Sequence, residues 1–439
     1  MKLGRRSVRH DRARRNCEYY PDTTCWAHAW PTSLAHKRSM TSVLLLENIH
    51  DTAVARFSEA KLEVERRAGA LAGTDLTSAL QAHNLVGIRS ATHLRREEID
   101  AARHLLAIGC FCIGTSQVDL DAAANAGIPV FNAPFSNTRS VAELVIAEAI
   151  LLLRRVPEKS VLAHAGTWAK GASGSFETRG KTIAIVGYGN IGSQVGVLAE
   201  AMGMRVVYYD VQARLSLGSA RAAQSLADAV AHADVVTLHV PATAQTNRMI
   251  DAATLACFKG GAILINASRG SVVDIDALAQ ALQAKRLGGA AIDVFPEEPK
   301  TNADIFKSVL QHLPNVILTP HVGGSTEEAQ ENIGTEVATK LISFLTTGDT
   351  VGSVNFPHVN PGPLDAPARL LNVHGNAPGA LATLNTRLAG EGANIVAQHL
   401  QTQGQTGYVV TDLDRTPSNE LIQALAREPG FIRTRLLVK

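Results

Sequence analysis

The sequence predicts an α/β protein with a doubly wound parallel sheet and a smaller domain of different order at its carboxyl end. Short apolar segments alternate with helical segments from Val43 to His321, and this alternation is typical of parallel sheets covered on both faces. A glycine motif, GYGNIG, lies between one apolar segment and the helix that follows it. Residues 369–439 instead read strand, helix, strand, strand, helix, strand, which predicts a ferredoxin-like domain.

Bulk composition narrows the class of protein. At 439 residues the chain is long enough for two or three domains. Its 42 basic and 40 acidic side chains give a net charge of +2, which provides no general attraction to nucleic acid or membranes. No apolar run reaches the roughly 18 residues that a membrane-spanning helix requires. We therefore expect a soluble protein whose ligands are small molecules.

The cysteines indicate a compartment rather than a site. There are five, an odd number without disulfide-like spacing, which favours a reducing environment and hence the cytoplasm. Cys110 and Cys112 lie in an apolar segment with no His or Cys partner nearby, so we expect core packing and no metal site.

The amino-terminal segment differs from the rest of the chain. Residues 1–39 are rich in arginine, without hydrophobic periodicity and without the apolar run of a secretory signal. Met40 then precedes the first predicted strand. We expect residues 1–39 to be a disordered extension.

The predicted elements fall into two sets. The first set has strands at 43–47, 85–90, 105–114 and 128–134. A helix is expected at about 52–68, and a long apolar helix at 140–156 leads into the second set. The second set has six strands, at 183–186, 204–210, 233–241, 261–268, 288–295 and 315–321. A helix at 326–346 and a proline-rich linker at 360–368 follow. In such sheets ligands bind outside the carboxyl ends of the strands.

The glycine motif predicts a dinucleotide site. Gly187 permits a tight turn, Gly189 lets the backbone approach a pyrophosphate, and Gly192 lets the helix pack closely on the strand. The amino end of that helix then offers N–H donors to the phosphates. Asp210 ends the next strand, where a carboxylate accepts from a ribose hydroxyl and repels a 2′-phosphate. This arrangement favours NAD over NADP.

Ionisable side chains follow three later strands of the same sheet. Arg269 can hold a substrate carboxylate with two parallel hydrogen bonds. Asp293 is placed to accept from a nicotinamide carboxamide, and Glu297 and Glu298 lie in the proline-bounded turn after it. His321 ends the last strand, and a His paired with a carboxylate suits acid–base work near neutral pH. Together these residues predict a catalytic site beside the dinucleotide loop.

From about residue 41 to residue 439 the sequence resembles the NAD-dependent D-2-hydroxyacid dehydrogenases. The motifs that carry the resemblance include GYGNIGSQVG, INASRGSVVDIDAL, GGAAIDVFPEEP and TPHVGGSTEEAQENIG. The likeness is strongest to the bacterial branch that oxidises 3-phosphoglycerate and ends in an ACT regulatory domain. It implies a Rossmann cofactor domain inserted in a flavodoxin-like substrate domain. The expected divisions are 40–136 and 324–359 for the substrate domain, 137–323 for the NAD-binding domain, 360–368 for the linker and 369–439 for the ACT domain.

The resemblance also implies site residues. The catalytic residues would be Arg269, Glu298 and His321, where alignment on the following proline selects Glu298 over Glu297. The cofactor contacts would be Gly187, Gly189, Asn190, Ile191, Gly192, Asp210, Ala267, Ser268, Arg269, Asp293, His321, Val322, Gly323 and Gly324. The substrate contacts would be Arg89, Ser90, Asn137 and Arg139. The serine contacts would be His374, Asn376 and Asn394.

Two positions depart from the family pattern. Ala91 stands where several bacterial relatives carry a second arginine, so one phosphate contact is missing or comes from elsewhere. Ser116 replaces a common Asn, which is a milder change.

The activity implied by the resemblance is the oxidation of 3-phosphoglycerate to 3-phosphohydroxypyruvate, the first step of L-serine biosynthesis. L-Serine would inhibit through the ACT domain of a homotetramer, and some relatives also reduce 2-oxoglutarate to 2-hydroxyglutarate. Two alternatives stay open at this point. One is another D-2-hydroxyacid dehydrogenase, of the glyoxylate or erythronate-4-phosphate type. The other is a nicotinamide-sensing corepressor or scaffold on the same fold. A third uncertainty concerns the ACT domain, which could be a plain dimerisation module.

Overall fold

The described part of the chain forms three sheets that follow one another in the sequence. The computed structural model describes residues 41–299 and 304–439, so the extension expected at residues 1–39 lies outside the described residues. Two of the sheets are parallel and the third is antiparallel. The predicted fold class is confirmed.

The first sheet is parallel and has the order β2-β1-β3-β4-β5, which is the flavodoxin-like order. Its strands are Ser42–Leu45 (β1), Glu63–Arg66 (β2), Leu85–Ile88 (β3), Ala107–Cys110 (β4) and Val130–Asn132 (β5). Its connecting helices are Asp51–Glu59 (α1), Gly73–Ala82 (α2), Arg96–Ala101 (α3) and Leu120–Asn125 (α4). The central strands β3 and β4 are buried throughout, as expected for a sheet covered on both faces.

The helix predicted at 52–68 is wrong in its second half. The chain reverses at Lys61, whose φ is 59°, and then forms the edge strand β2. This strand reads EVER and is only partly buried, so it lacks the apolar alternation that would have identified it. It forms because its backbone pairs with that of β1.

The second sheet has seven strands in the order β12-β11-β10-β9-β6-β7-β8. The strands are Thr182–Val186 (β6), Arg205–Tyr209 (β7), Arg221–Ala222 (β8), Val235–Leu238 (β9), Ile263–Asn266 (β10), Gly289–Ile292 (β11) and Val316–Leu318 (β12). Its intervening helices are Asn190–Ala201 (α7), Leu226–Ala231 (α8), Ala252–Ala256 (α9) and Ile275–Gln283 (α10). The six predicted strands are present, and the two-residue β8 was missed. The strand order reverses between β6 and β9, and their carboxyl ends open the crevice where a dinucleotide binds in this topology.

Two long helices join the sheets. Thr138–Leu153 (α5) packs on the second sheet, whereas Glu327–Thr347 (α11) packs on α1, β4 and β5 of the first sheet. The helix predicted at 140–156 ends early, because Arg155 adopts a φ of 53° and a separate helix, Val156–His164 (α6), begins there. The chain thus leaves the first sheet, forms the second sheet, and returns to the first sheet through α11.

The third sheet is antiparallel with the order β14-β15-β13-β16, which matches the βαββαβ prediction. Its elements are Ala368–Gly375 (β13), Ala380–Gly390 (α12), Ile395–Gln403 (β14), Thr406–Leu413 (β15), Asn419–Ala426 (α13) and Phe431–Val438 (β16). Side chains of this sheet donate hydrogen bonds to backbone carbonyls of residues that flank α11 and β4. The Tyr408 hydroxyl donates to the Gly348 carbonyl at 2.7 Å, and Arg433 donates to the Leu105 carbonyl at 2.6 Å.

Every helix within the described ranges 41–299 and 304–439 is too short or too polar to cross a membrane.

Candidate active site

The glycine loop at the start of α7 leaves one open face. Gly187 has a φ of 91°, and a Cβ there would lie 2.4 Å from the His239 carbonyl oxygen. A Cβ on Gly192 would lie 2.1 Å from the Gly187 oxygen. A Cβ on Gly189 would meet nothing within 4 Å. The first and third glycines therefore allow the turn itself, and the second faces free space in which a pyrophosphate fits.

Asp210 is held beside that loop at the end of β7. Its Oδ2 accepts the Tyr188 N–H and its Oδ1 accepts the Gln212 N–H, both at 2.9 Å. The Arg214 Nε lies 3.2 Å from Oδ2. A carboxylate fixed in this place fits a ribose hydroxyl, so the residues present suit the adenosine half of NAD.

Arg269 is presented by a tight turn after β10. The Asn266 Oδ1 accepts from the N–H and hydroxyl of Ser268, and the Asn266 amide donates to the Arg269 carbonyl at 3.0 Å. The turn passes so close to the segment after β11 that a Cβ on Gly270 would lie 2.0 Å from the Phe295 backbone. The guanidinium donates to the Ser268 carbonyl at 2.6 Å. The local sequence NASRG thus fixes the direction of the arginine.

Asp293 organises the segment that follows β12. Its side chain is 1% exposed, and its Oδ1 accepts the Thr319 hydroxyl at 2.6 Å and the Val322 N–H at 2.8 Å. Its Oδ2 accepts the Gly323 N–H at 2.8 Å. Three donors are enough to stabilise one buried carboxylate. Its role as an acceptor for the nicotinamide carboxamide stays a prediction.

His321 sits in a strained backbone conformation. Its φ is 55°, which is uncommon for a residue other than glycine, and its N–H donates to the Asp293 carbonyl at 2.8 Å. This turn directs the ring at Glu298, with 2.9 Å between the His321 Nδ1 and the Glu298 Oε2. The other Glu298 oxygen accepts the Phe295 N–H at 3.1 Å. The carboxylate that reaches the histidine is therefore Glu298.

The two partners shift each other's titration. The hydrogen bond to Glu298 raises the pKa of His321, although burial opposes it. Burial alone would raise the pKa of Glu298, but the bonds from His321 and the Phe295 N–H and the nearby charges lower it. The imidazolium form is thus favoured, and the His321 ring, 53% exposed, stays open to a substrate.

The segment after β4 lies next to both Arg89 and Arg269. A Cβ on Gly114 would lie 3.9 Å from the Arg269 Nη2. Gln117 donates to the Gly114 carbonyl at 3.2 Å and to the Arg89 carbonyl at 2.7 Å. Burial raises the pKa of the Cys112 thiol in the same segment, while the hydrogen bond from Gln117 and the charges of Arg89 and Arg269 oppose that rise. This segment of the first sheet thus reaches the Arg269 side chain of the second sheet.

Glu47 shapes the turn that carries Arg89. Its carboxylate accepts the backbone N–H groups of Arg89 at 3.1 Å, Ala91 at 2.9 Å and Thr92 at 2.9 Å. The predicted contact Ser90 lies in this turn, and at Ala91 there is no second guanidinium. The sequence analysis missed Glu47, because its partners are backbone groups more than 40 residues away.

Asn137 and Arg139 lie where the chain passes from β5 of the first sheet into α5. A Cβ on Gly324 would lie 2.2 Å from the Asn137 Nδ2, so this passage contacts the segment between β12 and α11. Arg139 pairs with Glu143 one turn along α5 and lines a groove that includes Gln194 of α7. Its contacts within the described chain link it to this groove and not to Arg269.

The three predicted serine contacts lie at opposite ends of the third sheet. His374 is buried near the end of β13, and the Asn376 amide donates to the Gly404 carbonyl at 3.1 Å. The Asn394 N–H donates to Asp414 at 2.9 Å, before β14 begins. Since β13 pairs antiparallel with β15 over eight residues, the two ends are roughly 20 Å apart. One chain does not bring the three residues together.

Acidic, His and Cys side chains of residues 41–299 and 304–439 form no group of three or more that could hold a metal ion.

Comparison with known proteins shows the family. Residues 146–323 match the model of the D-isomer specific 2-hydroxyacid dehydrogenase NAD binding domain. A protein of Escherichia coli (strain K12) named D-3-phosphoglycerate dehydrogenase is 54% identical over 397 residues, which cover 90% of this chain and 97% of that protein. The chain belongs to the D-isomer specific 2-hydroxyacid dehydrogenases. It is accordingly an NAD-dependent oxidoreductase, as the resemblance implied.

Other relatives and a solved structure support the same family assignment. Proteins named D-3-phosphoglycerate dehydrogenase from Haemophilus influenzae and D-3-phosphoglycerate dehydrogenase 1 from Saccharomyces cerevisiae are 49% and 46% identical, over 91% and 90% of this chain and 98% and 87% of theirs. Among solved structures, D-lactate dehydrogenase from Aquifex aeolicus, complexed with NAD and lactic acid, has a TM-score of 0.64 and 28% identity. It covers 72% of this chain and 99% of its own.

His239 is a residue of this dehydrogenase site that the residue predictions missed. Its carbonyl packs against Gly187, and its Nε2 lies 3.0 Å from the Thr237 hydroxyl. Burial lowers the pKa of His239 to about 3, so the ring stays neutral. The available signal was the LHVP segment at the end of β9, where a ligand is expected in this fold.

Proposed function

We propose that this dehydrogenase oxidises 3-phosphoglycerate to 3-phosphohydroxypyruvate, the first step of L-serine biosynthesis. The observation that carries the chemistry is the His321–Glu298 pair at 2.9 Å, beside Arg269 at the carboxyl edge of the second sheet. The substrate is inferred from the relatives at 54% and 49% identity that bear the D-3-phosphoglycerate dehydrogenase name. The assignment of Arg269, Glu298 and His321 as catalytic residues is part of this proposal.

The residues that would hold NAD are those of the glycine loop with Asp210, and Ala267 to Arg269 with Asp293 and His321 to Gly324. The open face at Gly189 and the fixed Asp210 carboxylate support this placement. When bound, NAD supplies the hydride acceptor. The protein orients the substrate against it.

The proton of the substrate hydroxyl goes to His321. In its neutral form the ring accepts that proton at the nitrogen opposite Nδ1, while Nδ1 stays hydrogen-bonded to Glu298. Glu298 stabilises the resulting imidazolium, as the raised pKa of His321 indicates. Arg269 holds the substrate carboxylate and withdraws charge from the oxygen that becomes a carbonyl.

The phosphate end of the substrate would lie towards Arg89 and Ser90. Gln117 contacts both the Arg89 carbonyl and Gly114, which lies beside Arg269, so Arg89 would supply a positive charge on the substrate-domain side. Asn137 and Arg139 would join the site when the lobes close about the crossing, which would also exclude water. The proposed divisions are 40–136 and 324–359 for the substrate lobe and 137–323 for the NAD-binding domain, with 360–368 as linker.

The domain at 369–439 would bind L-serine between two copies of the chain. Because Asn394 lies at the far end of the sheet from His374 and Asn376, a complete site needs Asn394 from a second subunit. Exposed apolar side chains near α6, including Trp168 at 85% and Val161 at 68% exposure, provide a second surface for self-association. Both features support self-association as a homotetramer, and the odd number of cysteines, which favours a reducing compartment, supports the cytoplasm as its location.

One assay tests the activity. We expect NADH to form with 3-phosphoglycerate at a higher kcat/KM than with D-lactate, D-glycerate or erythronate-4-phosphate. A preference for one of the others would indicate a different dehydrogenase of this family, and no turnover with any of them would favour a sensor. Reduction of 2-oxoglutarate with NADH is measured in the same series.

Adding L-serine to that assay tests the regulation. We expect the rate to fall in the wild type and to stay constant in Asn394→Ala. An unchanged wild-type rate would contradict the serine site and leave the third domain as a dimerisation module.

A further inference from the structure

Glu148 is a buried acid that the proposed reaction does not use. It lies in the middle of α5, is 2% exposed, and neither carboxyl oxygen has a hydrogen-bond partner among the described residues. Burying an ionised carboxylate without partners is very unfavourable, so such a group is normally neutral.

The position of Glu148 on the helix places it beneath the NAD site. Val141, Val145, Glu148 and Leu152 recur at helical spacing on the buried face of α5. At one end of this stripe, the Val141 Cγ2 would lie 3.6 Å from a Cβ on Gly323. At the other end, the Leu152 carbonyl accepts a hydrogen bond from the Asn315 side chain. Glu148 therefore lies between them, against the strands that carry Asp293 and His321.

Among the described residues around Glu148, Asp293 carries the charge that affects the pKa of Glu148. The facing strands β10, β11 and β12 are uncharged, as is the buried face of α7, and Asp293 follows β11 directly. The next helix, α6, carries Glu158, which is paired with Arg155, and Lys159, which is bonded to Ser175. Burial and, second, the Asp293 charge raise the pKa of Glu148 to about 8.

We propose that Glu148 is a positioning residue of the NAD site, which in its protonated form leaves Asp293 as the only buried negative charge there. Asp293 uses that charge to hold the N–H groups of Val322 and Gly323, directly after His321. A second charge beside it would repel the Asp293 carboxylate and loosen this segment. Ionisation of Glu148 would therefore weaken cofactor binding and misplace His321.

The direction of the pH effect follows from the raised pKa of Glu148. Its contribution to stability is fully present below about pH 4.5 and is lost as the pH rises towards about 8. In the folded protein the charged form becomes common above about pH 8. We expect NADH affinity to fall from that pH upwards, with the slope of a single ionisation.

The test compares Glu148→Gln with the wild type from neutral to alkaline pH, with NADH fluorescence as the readout. The amide has the size of the neutral acid but cannot ionise. We therefore expect Glu148→Gln to keep at alkaline pH the NADH affinity that it has at neutral pH. The matched control is Glu143→Gln on the exposed side of the same helix, which should lose affinity as the wild type does. Should the amide variant fold poorly, Glu148→Met, of similar length, provides the same comparison.

Two results for NADH binding would overturn the proposal. One is a wild-type NADH affinity that stays constant through alkaline pH, and the other is an equal alkaline loss in Glu148→Gln. A lower melting temperature of Glu148→Gln, with the pH profile of NADH affinity unchanged from the wild type, would show that Glu148 only fills space. That result would also overturn the proposal. The inference rests on the proposed role of His321 only for its effect on turnover. NADH binding does not depend on the substrate, so a failed 3-phosphoglycerate assay leaves this test intact.

Discussion

At the scale of single residues, His321 depends on two carboxylates with different tasks. Asp293, which is buried, holds the backbone on both sides of the ring through its carbonyl and its side chain. Glu298, which is partly exposed, contacts the ring itself. The first fixes where the histidine lies, and the second fixes its tautomer and favours its charged form.

Glu298→Gln should change both the pH profile and the rate. Oxidation needs neutral His321, and the hydrogen bond to the Glu298 carboxylate raises the pKa of that ring. Removing the charge lowers the pKa, so the acid limb of kcat/KM should move to lower pH. The maximal rate should fall by about 10- to 100-fold, because the imidazolium loses its partner. Initial rates of NADH formation across pH measure both effects.

The adjacent Glu297 supplies the control for this variant. Glu297→Gln removes the same charge from the same turn without touching the ring, so its profile should match the wild type. An acid limb that moves equally in both variants would contradict the assignment of Glu298.

The sequence predicted most of the residues at this scale, since each lies in a motif after a strand. Glu47 and Glu148 escaped prediction for a common physical reason. The first binds N–H groups distant in sequence, and the second is an acid on a helix that otherwise reads as core. Whether such an acid is buried and neutral depends on packing, which periodicity alone does not reveal.

At the scale of elements, the strand–turn–helix unit of β6 and α7 separates folding from binding. Gly192 lies against its own turn, whereas Gly189 faces free space. The same residue type therefore serves two different purposes three positions apart. This difference can be measured with matched substitutions.

Gly192→Ala should destabilise the fold, whereas Gly189→Ala should weaken cofactor binding. The first places a methyl group 2.1 Å from a backbone oxygen, which costs about 1–3 kcal/mol or more. The second meets no protein atom but enters the space proposed for the pyrophosphate. Thermal unfolding without cofactor and NADH titration are the measurements. Equal melting temperatures for the two variants would contradict this division.

The errors of prediction among the elements also have physical causes. The edge strand β2 and the split between α5 and α6 depend on left-handed residues, Lys61 and Arg155. Neither residue type signals such a turn, as a glycine would. Central strands were predicted well because burial on both faces makes them continuously apolar.

At the scale of the whole molecule, one buried arginine anchors the third sheet. Arg369 has no exposed surface, binds Asp412 through two bonds of 2.5 and 2.8 Å, and donates to the carbonyls of Thr347 and Gly362. These bonds join β13 both to β15 and to the end of α11 with the segment that follows it. The sequence predicted the domain order but not this junction, because Asp412 is 43 residues away in the sequence and the other partners are backbone carbonyls.

Asp412→Ala should destabilise this junction by about 3–5 kcal/mol, because it leaves a buried guanidinium without its counter-charge. The readout is the denaturant midpoint of the third sheet, followed by a probe in β13–β16. The control is Arg415→Ala, whose pair with Asp414 is exposed and should contribute less than about 1 kcal/mol. Equal shifts in both variants would contradict the anchoring role of Arg369.

The proposed reaction requires His321 to accept the substrate proton, and His321→Ala tests this requirement most directly. With NAD and 3-phosphoglycerate saturating, we predict that kcat falls by about 10²–10⁴-fold. NADH affinity should fall much less than kcat, because Asp293 and the glycine loop remain to hold the cofactor. A variant that binds NADH and keeps a near-wild-type kcat would contradict the assignment of His321.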